Sequence, residues 1–337
     1  MKGLGLFRFF AKKEALHNTG NENLIFVSDM QIKMGTFVNI QCLAASKDLA
    51  EECIARAFLH IDRLEQVFSR HDGSSLLSVL NMQGSLCDYP AEFKTVLEHA
   101  LSIENRTAGA FNPSVLAVLE YLEKNSLVNV KDLQERFALI IKNPVDFADN
   151  KIRLKQSGSI VTLDAIAKGY IVDFVANFFE EKGIRNYLIN AGGDIRVNGM
   201  KSFEKGNEKT WKIAIEDPYK QKNYPAVFSL MRGAVATSGN YEKNFGKKGS
   251  HIILPAIQER IGQKECFPQG TAEHVSPFVK SVSVIAPEAM QADAYATALS
   301  CMPVDTAVEY VNKHAQLACM IIAEDDSKHY SDNWKLR

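Results

Sequence analysis

The stretch "SIVTLDAIAKGYIVDFVANFFEEK" (159–182) changes its hydrophobic pattern part of the way along. Residues 159–163 form a β-like run, which predicts a strand, and residues 165–182 repeat apolar side chains at helical spacing. Lys168 and Gly169 then fall in the first turn of the predicted helix. Because free N–H groups at a helix N-terminus attract anions, Lys168 is a candidate phosphate ligand. A capped amphipathic helix whose lysine faces water fits the same residues.

The rest of the chain separates groups of strands from groups of helices. This grouping predicts an α+β fold rather than a regular α/β winding. The predicted elements are two strands within 23–45, a helix from Ser46 to about 68, a helix at 91–107, a helix after 114, short β-like runs from 186 to 254, a long surface loop at 255–279, a strand at 281–286, helices at 288–302 and after it, and a strand at 317–325.

Composition excludes several classes of protein. The 337 residues carry 39 basic and 40 acidic side chains, so a broad surface for nucleic acid or anionic membrane is not expected. The longest apolar runs fall short of the ~18 residues of a membrane span, so no transmembrane segment is expected. The six cysteines form no C-x-x-C pair, which argues against a zinc ribbon or a thioredoxin motif.

The N-terminal 20 residues are expected to form a leader or an arm, followed by a single domain over 21–337. Arg8 interrupts the apolar run that a secretory signal requires. The sequence therefore predicts a cytoplasmic protein. A periplasmic or membrane-anchored protein is the alternative if an export signal has been removed.

The segment "MQADAYATALSCM" (290–302) places Asp293 and Thr297 four residues apart, on one face of the predicted helix. A carboxylate and a hydroxyl are hard oxygen donors suited to Mg²⁺. The alternative is an acidic residue that the helix dipole favours in the first turn.

Three further motifs have both a chemical and a structural interpretation. His251 in "GSHIILP" is a candidate general base, although a lone histidine is often structural. Met34 in "MGTF" could pack on a flat ring or simply fill the core. The glycine pair in "INAGGDIRVNG" (189–199) predicts a hairpin turn that something else can approach closely.

Eight motifs taken together resemble, in their order, those of the ApbE family, the FAD:protein FMN transferases. The resemblance extends from about residue 30 to residue 325. The motifs are "KMGTF" (33–37), "FSRHDGSSLLSVLN" (68–81), "GAFNPSV" (109–115), "LDAIAKGYIVD" (163–173), "INAGGDIRVNG" (189–199), "ATSGNYEKNF" (236–245), "SHIILP" (250–255) and "SVSVIAPEAMQADAYATAL" (281–299).

The resemblance implies an α+β fold of intertwined lobes, with mixed or antiparallel sheets, flanking helices and FAD in the cleft between the lobes. It implies Mg²⁺-dependent transfer of FMN from FAD to a Thr or Ser hydroxyl of a target flavoprotein, with release of AMP. Hydrolysis of FAD to FMN and AMP, as a pyrophosphatase, is an alternative. A non-catalytic flavin-binding or flavin-delivery protein is another.

The resemblance also implies roles for particular residues. The side chains of Asp293 and Thr297 and the backbone carbonyls of Ala165 and Ala296 would bind the metal. His251 would take the proton of the incoming hydroxyl. The residues implied to contact FAD are Met34, His71, Ala110, Phe111, Asn112, Thr162, Lys168 and Ile253.

Four positions differ from the family pattern. Leu254 replaces the acid of "HIIDP", and Asn112 replaces the aspartate of "GAFDP". Thr162 stands where "DLGGIAKG" begins with an acid, and His71 stands where an aromatic residue commonly follows "FS". The metal ligands and Lys168 follow the pattern.

Overall fold

A computed structural model describes residues 24–125, 129–148, 150–204, 207–219, 223–239, 252–254 and 279–334. The helices are α1 (Lys47–Phe68), α2 (Leu76–Gln83), α3 (Ala91–Arg106), α4 (Leu116–Lys124), α5 (Val130–Phe137), α6 (Ala167–Glu181), α7 (Ala289–Ser300) and α8 (Val304–Asn312). A 3-10 turn covers Pro113–Val115.

The strands are β1 (Ile25–Lys33), β2 (Thr36–Ala44), β3 (Ser85–Cys87), β4 (Val145–Ala148), β5 (Lys151–Leu154), β6 (Asn186–Ala191), β7 (Asp194–Asn198), β8 (Met200–Glu204), β9 (Asn207–Ile215), β10 (Ala226–Leu230), β11 (Arg232–Gly239), β12 (Val279–Ala286), β13 (Ala318–Ala323) and β14 (Lys328–Tyr330). Eight of them form one sheet in the order β1-β2-β6-β7-β11-β12-β13-β14. Two three-stranded sheets, β10-β9-β8 and β3-β5-β4, accompany it. The pairings are antiparallel, which confirms the α+β prediction.

The two faces of the large sheet bury different partners. On one face α1 packs on β1 and β2, α6 on β6 and β7, and α7 on β11 and β12. On the other face the sheet β10-β9-β8 covers β7 and β11 through Trp211 and Leu230. Because side chains alternate along a strand, Ala234 and Ala236 of β11 face the helices while Val235 faces the small sheet.

Helix α1 forms as its sequence predicts. Ser46 caps it, since the Ser46 hydroxyl accepts a hydrogen bond from the Leu49 amide at 3.2 Å. Its periodic apolar residues are all buried, and they are Ile54, Phe58, Ile61, Leu64 and Phe68. The hairpin β1–β2, the helix α3 and the hairpin β6–β7 are likewise confirmed.

The strand predicted at 159–163 is wrong. The backbone N–H and C=O of Val161 pair with the side-chain amide of Asn81, both at 2.8 Å. The Thr162 amide donates to the Pro113 carbonyl, also at 2.8 Å. One amide side chain and one loop carbonyl therefore satisfy backbone groups that a neighbouring strand would otherwise pair.

The predicted arm (1–20) lies outside the described residues, and so does most of the predicted loop (255–279). None of the helices in the described part of the chain has both the length and the apolar composition that a membrane crossing requires.

Candidate active site

A cavity of about 770 Å³ opens where the turn between β1 and β2 meets the N-terminus of α6 and one face of α7. Its volume lies within the range of small-molecule sites. Residues from all eight motifs line it. The predicted site residues in its wall are Met34, His71, Ala110, Phe111, Asn112, Thr162, Ala165, Lys168, Ile253, Asp293 and Thr297.

Helix α7 supplies the acid and the hydroxyl that the sequence predicts for a metal. Asp293 is 5% exposed, and its Oδ2 accepts a hydrogen bond from the Gly169 amide at 3.2 Å. The hydroxyls of Thr297 and Ser238 lie 3.0 Å apart, which joins α7 to β11. Asp293 lies one turn into a helix that has no acidic residue in its first turn, so the dipole-favoured alternative is wrong.

The N-terminus of α7 is capped by a residue of α6 rather than by its own N-cap. Both carboxylate oxygens of Asp173 accept backbone amides, from Ala289 at 2.9 Å and from Met290 at 2.8 Å. Arg196 pairs with the same carboxylate at 3.0 Å. Burial raises the pKa of Asp173 to about 6, and Arg196 opposes that rise. The cap fixes α7, and with it Asp293, relative to α6.

Lys168 occupies the first turn of α6, as predicted. Its Nζ lies 2.8 Å from the Asp194 carboxylate, so the interpretation of a lysine that only faces water is wrong. The next residue is glycine because the first turns of α6 and α7 are in contact at this point. A Cβ on Gly169 would stand 2.4 Å from the Ala289 carbonyl oxygen, which no L side chain tolerates without a shift.

In the part of the chain that the structure describes, two buried carboxylates at the base of the cavity, those of Asp293 and Asp194, lie close to the ammonium of Lys168. Burial raises the pKa of Asp293 well above its ordinary value, the Asp194 charge adds to the rise, and Lys168 opposes it. A second cation would relieve this repulsion, and the carboxylate and hydroxyl oxygens of the site are donors that suit Mg²⁺.

The structure places the two backbone carbonyls predicted for the metal differently. Ala165 lines the cavity. Ala296 is buried inside α7, and its carbonyl oxygen accepts the Ser300 hydroxyl at 2.8 Å. Within the described residues, no three His, Cys, Asp or Glu side chains form a metal-binding group.

Met34 lies in the tight turn between β1 and β2, with a left-handed φ of 51°. Its amide donates to the Glu65 carboxylate at 3.2 Å, and Lys33 next to it pairs with Asp62 at 2.6 Å. Helix α1 therefore holds the turn by two side chains. The Met34 side chain both packs on the core and lines the cavity, so neither interpretation of it is eliminated.

Asn112 stands where the family pattern has an aspartate. Both polar atoms of its side-chain amide form hydrogen bonds. Its Nδ2 donates to the Glu104 carboxylate at 3.0 Å, and its Oδ1 accepts the Ser114 amide at 2.8 Å. Glu104 is fully buried, and burial raises its pKa to about 7. An aspartate at 112 would bring a second carboxylate against this one, so Asn112 and Glu104 are chemically matched.

The remaining predicted residues contact the cavity in different ways. His71 is exposed at its edge, next to Arg70, which pairs with Glu123 at 2.6 Å. The Thr162 hydroxyl accepts the Asp164 amide at 3.1 Å. Ile253 is buried in the wall. His251 lies outside the described residues.

Several wall residues were not predicted. They are Glu65, Arg70, Asp194, Thr237 and Ser238 among others. Asp194 directly follows the glycine pair in "INAGGDIRVNG", and that proximity was the available signal. The motif predicted a hairpin turn that something else can approach closely, and the hairpin is confirmed. Periodicity does not show that its acid reaches Lys168 on another element.

Known proteins resemble this chain in both sequence and structure. The FAD:protein FMN transferase of Haemophilus influenzae is 31% identical over 251 residues, which cover 70% of this chain and 67% of that protein. The FAD:protein FMN transferase of Vibrio cholerae is 28% identical over 322 residues, which cover 89% of each.

The flavin transferase ApbE structure from Vibrio cholerae superposes with a TM-score of 0.76 at 26% identity, covering 93% of this chain and 99% of that one. The ApbE protein of Thermotoga maritima, at 24% identity, has a TM-score of 0.78 over 92% and 98% of the two chains and shows the same fold. The sequence profile of the ApbE family matches residues 34–321. The chain therefore belongs to the ApbE family.

Proposed function

We propose that this chain is a transferase that moves FMN from FAD to a Thr or Ser hydroxyl of an acceptor flavoprotein, with Mg²⁺, and releases AMP. The observation that carries the proposal is the meeting of Lys168, Asp293 and Thr297 in one cavity that Met34 and Phe111 also line. Relatives that the chain matches over most of its length are FAD:protein FMN transferases.

The proposed reaction exchanges the phosphoanhydride bond of FAD for a phosphoester bond to the acceptor. The acceptor oxygen bonds to the FMN-side phosphorus, the bridging P–O bond breaks, and AMP leaves with the bridging oxygen. Lys168, which lies in the first turn of α6 and lines the cavity, is the proposed cationic ligand of the diphosphate. Such transfers depend mainly on alignment and on charge stabilisation. His251 is the proposed acceptor of the hydroxyl proton.

The donor set fits a divalent cation. Asp293 and Thr297 would hold it with their side chains, and Ala165 and Ala296 remain the proposed carbonyl ligands. When bound, Mg²⁺ supplies Lewis-acid stabilisation of the diphosphate. Because burial raises the pKa of Asp293, binding of a cation would release a proton from this carboxyl wherever it is protonated.

The residues proposed to contact FAD are Met34, His71, Ala110, Phe111, Asn112, Thr162, Lys168 and Ile253. Each lines the cavity. We also propose that residues 21–337 act as a single flavin transferase domain, because the cavity wall draws on residues from Met34 to Cys301.

The test is incubation with FAD, Mg²⁺ and an acceptor domain that carries an accessible threonine, followed by intact-mass measurement and AMP quantification. The expected result is an acceptor that gains the mass of FMN, with AMP in equal amount. Asp293→Asn should lose this activity. Glu309→Gln, which breaks an exposed pair with Lys313 on α8, is the matched control and should keep it.

Two outcomes would contradict the transfer. AMP and free FMN without labelled acceptor would make the protein a FAD pyrophosphatase. Retention of FAD without either product would make it a flavin-binding or flavin-delivery protein.

A further inference from the structure

The turn between β6 and β7 contacts two separate parts of the cavity wall. Gly192 and Gly193 both have positive φ, 65° and 106°. A Cβ on Gly192 would stand 2.4 Å from the Thr36 hydroxyl, so this turn packs tightly beside the β1–β2 turn that carries Met34. The Gly193 amide donates to the Asn190 side chain at 2.9 Å, which fixes the turn internally. A rigid turn therefore presents the residue that follows it, Asp194.

Asp194 points from this turn towards the first turn of α6. It is 3% exposed, and its Oδ2 lies 2.8 Å from Lys168 Nζ. The lysine side chain is about one-third exposed, so only the acid is fully enclosed. A buried carboxylate on a rigid turn thus holds the end of a long side chain that lines the cavity.

We propose that Asp194 is a positioning residue for Lys168. Its carboxylate keeps the ammonium at the place where the diphosphate binds, and its turn sets that place relative to Met34. The inference rests on the proposed function. A lysine side chain loses rotamer entropy when it is ordered, so a lysine held before substrate arrives needs less ordering during the reaction.

The Asp194 carboxylate should weaken FAD binding, although it favours transfer. It is an anion beside the site of an anionic diphosphate, so it competes for Lys168 in the ground state. Removing its charge should therefore strengthen FAD binding while it slows transfer. A residue that merely supported the fold would not give this opposite pair of effects.

The experiment is a double-mutant cycle with Asp194→Asn, Lys168→Met and the double variant. Glu309→Gln controls for loss of an acid–lysine pair elsewhere. FAD affinity is measured by flavin fluorescence in EDTA, so that no cation contributes, and kcat and KM are measured with Mg²⁺ and acceptor. Thermal unfolding of each variant reports on the fold.

We expect Asp194→Asn to bind FAD several-fold more tightly and to lower kcat by about 10- to 100-fold, the scale of a misplaced reacting group. Both effects should vanish when Lys168 is already Met, because the acid then has no ammonium to position. If Asp194→Asn does not fold, Asp194→Glu provides the test. Its longer side chain displaces the ammonium and should also lower kcat.

The inference is overturned if Asp194→Asn keeps the wild-type kcat, or if its effect is as large in the Lys168→Met background as alone. Failure of the proposed function has a different signature, namely a wild-type protein that binds FAD and labels no acceptor. The binding half of the cycle then still tests Asp194, since additive changes in FAD affinity contradict its coupling to Lys168.

Discussion

Glu104 should make the stability of the protein depend on pH in a way that one substitution removes. The carboxyl is fully buried, accepts bonds from Asn112 and from the Asn143 amide, and has a pKa raised by burial from 4.5 to about 7. Between these two values the unfolded chain has released the proton and the folded chain keeps it. The free energy of unfolding therefore falls as pH rises from 4.5 to 7.

The size of the effect follows from the pKa. A rise from 4.5 to about 7 corresponds to about 3 kcal/mol, at about 1.36 kcal/mol per pH unit. Of this, about 2 kcal/mol is lost between pH 5.5 and pH 8. Glu104→Gln keeps an acceptor for the Asn143 amide and carries no charge, so it should lack this loss.

The assay is urea unfolding of the wild type and of Glu104→Gln at pH 5.5 and pH 8. The stability of the variant relative to the wild type should rise by about 2 kcal/mol between the two pH values. The contributions of Asp173 and Asp293 are common to both proteins and cancel. A difference that stays constant with pH would refute the reasoning, because Glu104 would then have the same pKa in the folded and unfolded chains.

Three other substitutions test the contacts that build the site. Gly169→Ala should destabilise by about 1–3 kcal/mol in urea unfolding, since its Cβ meets the Ala289 carbonyl, whereas Gly73→Ala, which meets open space, should not. Asp173→Asn should cost about 3 kcal/mol by the same measurement, because it leaves the buried Arg196 without its charge partner. Glu65→Gln should change stability by less than about 1 kcal/mol, because it keeps an acceptor for the Met34 amide.

Local sequence patterns predicted the elements that have one buried face. Helix α1 carries its apolar residues at helical spacing and begins at a good N-cap, and both features appear in the structure. The prediction of a strand at 159–163 is wrong because the backbone of a short apolar run can pair with a side-chain amide, here that of Asn81, instead of with another strand. Composition does not reveal which partner a backbone group finds.

The sequence patterns assigned no helix or strand to the region that directly follows α4. It contains α5, β4 and β5. Strand β5 pairs with β4 and also with β3, which precedes α3 in the sequence. These strands have three or four residues each, too few for a periodicity to be read. Their pairing depends on contacts between distant parts of the chain, which a local pattern cannot contain.

The candidate site was predicted through its motifs, and the cavity brings most of their residues together. Asp194 and Glu104 were missed for a shared reason. Each acts on a second residue, Lys168 or Asn112, that is supplied by another element. The match between Glu104 and Asn112 also gives a physical reason for one departure from the family pattern.

The central claim is that FMN is transferred, with a cation at Asp293, to a protein hydroxyl. The most direct measurement is the intact mass of a threonine-bearing acceptor after incubation with FAD and the wild-type protein, in Mg²⁺ and in EDTA. We predict an acceptor heavier by one FMN in Mg²⁺ and unmodified in EDTA. An acceptor that stays unmodified in Mg²⁺, or that is labelled equally in EDTA, would contradict the account.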